Sequence, residues 1–113
     1  MAFVKRQAAA ISAEEQRQGN RDCGGLVVAL SSPDVATRRW AARDLVACPD
    51  RAAALVERLK IEPEVSVREV ILTTLTRMAD PAAIAGLVYC LRSEDAALRN
   101  ETIDAMKQLP AGV

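Results

Sequence analysis

From residue 64 to residue 91 the chain reads EVSVREVILTTLTRMADPAAIAGLVYCL, two apolar patterns separated by Asp80-Pro81. Val65, Ile71, Leu72, Leu75 and Met78 recur at the spacings of one helix face, and Ala83, Ile84, Leu87, Val88 and Leu91 repeat the pattern after the break. An Asp-Pro pair ends one helix and opens the next, so the stretch predicts an αα-hairpin. A single hairpin cannot bury both of its apolar stripes, and a fold built on one needs further copies.

The rest of the chain supplies them. Asn20 or Asp22 is placed to cap a short helix over 25–30 that ends at Ser31-Ser32-Pro33. A second helix is predicted over 34–47, with Val35, Ala41, Ala42 and Leu45 inward; Cys48-Pro49-Asp50 stops it, because proline disfavours α geometry in the residue before it. Asp50 is expected to cap a helix over 51–61 whose inner face is Ala54, Leu55, Val56 and Leu59, and Pro63 to open the next helix at its first turn. A last helix is predicted over 95–109. Residues 1–19 stand outside this pattern as an N-terminal arm, and residues 20–113 form the repeat domain. Within the arm, Ser12 and Glu15 have the form of a capping box, and Phe3, Val4 and Ile11 offer apolar cover for the first hairpin; a frayed arm is the alternative.

Three segments align along their length: PDVATRRWAARDL from residue 33, PEVSVREVILTTL from residue 63 and EDAALRNETIDAM from residue 94. An acid recurs at Asp34, Glu64 and Asp95, a base at Arg38, Arg68 and Arg99, and a large apolar side chain at Leu45, Leu75 and Met106, a period of 30 to 31 residues. Val67-Arg68 and Leu75 followed by Asp80-Pro81-Ala82-Ala83-Ile84 and Leu87 resemble the short HEAT-like repeats first noted in phycobilin lyases. The resemblance covers about residues 24 to 109. It implies an all-α fold, a right-handed α-solenoid of three HEAT-like hairpins plus the N-terminal segment. It also implies that Asp34, Arg38, Glu64, Arg68, Asp95 and Arg99 form a structural ladder between neighbouring repeats. Glu64 departs from the usual aspartate, and Ala96 and Leu98 replace valine in the third repeat, which is atypical as end repeats are.

Composition narrows the chemistry. At 113 residues the chain is one domain, half hydrophobic but only 3% aromatic, which suits closely packed helices better than a sheet sandwich. Fifteen basic and fifteen acidic residues cancel, arguing against a general nucleic-acid binder. Histidine is absent, and Cys23, Cys48 and Cys90 are odd in number and far apart, so no metal site and no cofactor is expected. The simplest reading of those cysteines is a reduced, cytoplasmic chain. No apolar run is long enough to span a membrane, and residues 1–19 lack a signal-peptide core.

No general base, phosphate loop or nucleophile elbow is visible, and an enzyme is not expected. Cys23, near a helix start and beside Arg21, is the best placed thiol, with an inert structural cysteine as the alternative. Binding is the expected role. In a stack of hairpins the second helices present a common surface, here Arg39, Trp40 and Arg43 in the first repeat, Glu69, Val70, Thr73 and Arg77 in the second, and Asn100, Glu101, Asp104 and Gln108 in the third. Of these, Arg39, Trp40, Arg43, Glu69, Thr73, Arg77 and Asp104 are the candidate partner contacts. Trp40 reads equally as an interface anchor or as a packing residue. The expected function is a noncatalytic protein-binding adaptor or scaffold, with another protein or a second copy as partner. The alternative, drawn from the lyase resemblance, is an accessory protein binding a tetrapyrrole or other acidic small molecule through the same arginines; weak nucleic-acid binding through Arg38, Arg39 and Arg43 is a third.

Overall fold

The computed structural model describes residues 22–109. They form six α-helices and, among the described residues, no strand: α1 Cys23–Ala29, α2 Val35–Asp44, α3 Ala52–Leu59, α4 Val65–Met78, α5 Pro81–Leu91 and α6 Ala96–Met106. Two 3-10 turns, Leu45–Ala47 and Pro49–Arg51, join α2 to α3. The all-α expectation holds. The readings of the N-terminal arm, its capping box and its docking side chains, lie outside the described residues.

Helix starts follow the aspartates. Asp22, Asp34, Asp80 and Asp95 each accept a backbone N–H from the first turn of the helix they precede, from Gly25, Thr37, Ala83, and Ala97 with Leu98 respectively. Pro81 occupies the first turn of α5, where its missing N–H costs nothing. Two expectations are corrected. Asp50 does not cap α3: Pro49 opens a 3-10 turn closed by Arg51 N–H to Cys48 O at 3.0 Å, which displaces the helix start to Ala52. Nor does Pro63 lie inside α4, because Glu64 holds extended backbone as the N-cap and pushes Pro63 outside. The second helix is also shorter than predicted, its last turn tightening to 3-10 ahead of Cys48-Pro49.

Consecutive helices pair: α1 packs on α2, α3 on α4, α5 on α6. The second helices touch in the row α2, α4, α6, and α3 meets α5. The central helix is α4, in contact with α2, α3, α5 and α6. Its Val67, Ile71, Leu72 and Leu75 are buried, together with Leu26, Leu45, Leu55, Leu59 and Leu87. Each such side chain contributes about 1.5–3 kcal/mol relative to exposure. Val65 and Val88, expected on the inner stripes, are exposed instead, since each stands at the margin of its helix's apolar face. Where α3 crosses α5, a Cβ at Gly86 would overlap Cγ2 of Val56, so glycine sets how closely those two helices approach.

The recurrent arginines do the same job three times. Nη1 of Arg38, Arg68 and Arg99 donates to the carbonyl oxygen six residues earlier, of Ser32, Glu62 and Ser93, at 2.8, 3.0 and 2.7 Å. The ladder partners differ from those expected. Asp34 and Asp95 cap their own helices, and the arginines reach glutamates instead: Arg38 to Glu62, and Arg68 to Glu101. A glutamate has the extra methylene needed to span neighbouring helices, whereas an N-cap aspartate is committed to its own first turn.

Cys23 and Cys48 form a disulfide that ties the first residue of α1 to the turn after α2, with Cα atoms 5.9 Å apart. This corrects the reading of three reduced thiols. Only Cys90 is free, and it is buried; burial pushes its thiol up despite the nearby Lys60 ammonium.

Candidate binding cleft

A cleft of about 690 Å³ opens between α4 and α6. Its walls follow from helical spacing. Glu69, Leu72, Thr73, Thr76 and Arg77 recur at three- and four-residue steps along α4, and Glu101, Asp104, Ala105 and Gln108 do so along α6 and just beyond it. Leu72 and Thr76 are buried and form the floor with Ala79 and Ala105. Glu69, Thr73, Arg77, Asp104 and Gln108 are exposed and form the rim. Thr76 Oγ1 donates to Thr73 O at 2.8 Å, so the floor hydroxyl is satisfied within its own helix.

One wall is held by the ion pair of Arg68 and Glu101. Arg68 Nε lies 2.9 Å from Glu101 Oε2, and Nη2 lies 3.0 Å from Oε1, a two-pronged bond that fixes the separation of α4 and α6. Glu101, read from sequence as a partner-facing residue, is thereby largely engaged inside the protein. The charged side chains on the rim are Glu69 and Asp104 against Arg77; Asp104 is paired with Lys107, whose Nζ lies 3.5 Å away on the exposed surface.

Of the seven candidate contacts, the structure brings Glu69, Thr73, Arg77 and Asp104 together in this cleft. It does not bring Arg39, Trp40 and Arg43 there: all three belong to α2. Arg39 Nη1 donates to Ser66 Oγ at 3.3 Å, and Arg43 Nε lies 3.8 Å from Asp44 Oδ1. Trp40 is half-buried against the core, and its buried Nε1 has no hydrogen-bond acceptor among the described residues. The expected single surface graded from basic to acidic is thus split into two regions.

Sequence reasoning missed Glu62. Its carboxylate is fully buried and takes Arg38 Nε at 2.9 Å, Arg38 Nη2 at 3.1 Å, Arg58 Nε at 2.9 Å and the Glu64 amide at 3.0 Å. Burial alone would push this carboxyl up; the bonds from Arg38, the Glu64 amide and Arg58 outweigh it and hold it below the usual glutamate range. The one signal available was its position, matching Ser32 and Ser93 six residues before the recurrent arginines. Among the described residues no group of three histidine, cysteine or carboxylate side chains could hold a metal ion, and no helix is long and apolar enough to cross a membrane. No protein-family model matches the chain, and no curated protein matches it.

Proposed function

We propose that this chain is an α-solenoid of three HEAT-like hairpins and that it acts as a noncatalytic adaptor, holding a segment of another polypeptide in the cleft between α4 and α6. The observation that carries this reading is the cleft itself: an apolar floor and a polar rim of both signs, on two helices clamped by Arg68 and Glu101. A rim fixed on packed helices binds without first having to be ordered, which saves conformational entropy on association. The 30- to 31-residue recurrence and the row of second helices support the solenoid reading.

The tetrapyrrole reading draws less from this arrangement. Of the arginines it relied on, only Arg77 lines the cleft, where the rim carboxylates Glu69 and Asp104 oppose an acidic ligand. The cytoplasmic location expected from the sequence rested on reduced cysteines, and the Cys23–Cys48 bond favours an oxidising compartment instead.

The test is retention of a polypeptide from native extract by the wild-type chain and by Thr73→Trp, which fills the cleft from an exposed position. Capture by the first and loss by the second, with equal thermal midpoints, is expected. Equal capture by both, or a bound pigment absorbing in the visible range, overturns the reading.

A further inference from the structure

The ladder of arginines has three uprights and only two complete rungs. Arg38 fills Nε and Nη2 with the carboxylate of Glu62, which lies just ahead of the next second helix, α4. Arg68 fills the same two nitrogens with Glu101, on the next second helix, α6. Arg99 makes the same Nη1 bond to the carbonyl six residues back, but its Nε and Nη2 have no acceptor among the described residues. The apolar register breaks at the same place. Four residues after each arginine stand Ala42, Leu72 and Ile103; the first two are 0% and 2% exposed, and Ile103 is 45% exposed. An oriented guanidinium fork and an uncovered isoleucine therefore share the outer face of α6.

We propose that this face of α6 is a docking edge for a helix of a different polypeptide, which lays an apolar residue over Ile103 and places a glutamate on the Nε and Nη2 of Arg99. The chemistry of the occupant follows from the two complete rungs, where the guanidinium is met in each case by a carboxylate from the repeat that comes next. A second copy stacked head to tail does not supply it. In that register the positions of Glu62 and Glu101, six residues before and two after the recurrent arginine, are Ser32 and Trp40, neither of which is acidic. This surface is separate from the cleft between α4 and α6 and does not depend on it.

A defined probe exists within the chain: a synthetic peptide of residues 93–109, stapled as a helix and fluorescently labelled, carries a glutamate in the register that Arg68 accepts. Titrated into the full-length protein at low salt and followed by anisotropy, it is expected to bind saturably. The same peptide with Glu101→Gln, or the protein with Arg99→Ala, is expected to bind about tenfold more weakly, the scale of a lost charged hydrogen bond. Because Arg99 also bonds the Ser93 carbonyl, Ile103→Lys at an exposed position provides a second variant, expected to abolish binding without lowering the thermal midpoint. Absence of binding, or equal binding of the glutamate and glutamine peptides, overturns the proposal. So does an Arg99-dependent dimer of the protein alone in sedimentation equilibrium, which would assign the face to a second copy.

Discussion

Arg38 on α2 and Glu62 ahead of α4 meet in a two-pronged ion pair, 2.9 Å from Nε to Oε1, with the glutamate side chain wholly out of solvent. They are 24 residues apart in sequence and join the first helix pair to the second. Arg58 donates to the same oxygen, so one carboxylate is shared by two guanidinium groups. Such a buried group is costly to disturb, because removing one member strands the others without water.

Glu62→Gln is therefore expected to destabilise the fold by about 3 kcal/mol or more, measured as a shift in urea unfolding. The pH dependence has a definite sign. Because the folded carboxyl is held below its usual range, its stabilisation is complete above the unfolded glutamate pKa and is lost as pH falls through the folded one. The wild-type thermal midpoint should fall through that acid window, and the variant should fall less. Equal slopes would show that Glu62 does not carry the acid sensitivity.

Trp40 provides a second test. Its ring packs against the core while its buried Nε1 lacks an acceptor, an arrangement that costs about 1–3 kcal/mol. Trp40→Phe removes the orphaned donor and keeps most of the contact. It should match the wild type in stability within about 1 kcal/mol or exceed it, whereas Trp40→Ala should lose about 3 kcal/mol. Equal losses in both would mean that the indole N–H has a partner in solution.

Ala79 ends α4 in the left-handed region, at φ 49° and ψ 22°. A Cβ there is strained, and glycine is not. Ala79→Gly is expected to raise stability by about 1 kcal/mol, visible in the urea midpoint. A loss would mean that the greater freedom of glycine in the unfolded chain outweighs the relief.

Thiol titration checks the cysteines. The native protein should expose no reactive thiol, the unfolded unreduced protein one, from Cys90, and the reduced unfolded protein three. Replacing Cys23 and Cys48 together by serine should lower stability by about 3 kcal/mol, the loop-closure scale for a bridge of this span. Three reactive thiols without reductant would return the chain to the reduced reading.

Sequence by itself determined the six helices and most of their punctuation, though not the starts of α3 and α4, where the Asp50 cap and the first-turn Pro63 it suggested are absent. Apolar spacing of three and four residues is a local property of one helix face, and the aspartate caps and Asp80-Pro81 act within a single turn. The 30- to 31-residue recurrence also marked Arg38, Arg68 and Arg99 as equivalent, and the structure gives all three the same bond to their own chain. Half of the cleft was legible for the same reason: Glu69, Thr73 and Arg77 share a face of one helix. What only the tertiary structure decided involves separate helices. Helical spacing places Glu101 on an outer face of α6, but only the packing of α4 beside α6 turns it toward Arg68. Cys23 and Cys48 come together because α1 folds back on α2, and Glu62 is buried because two helix pairs close over it. Periodicity states which way a side chain points from its own helix; it carries no information about which helix stands opposite.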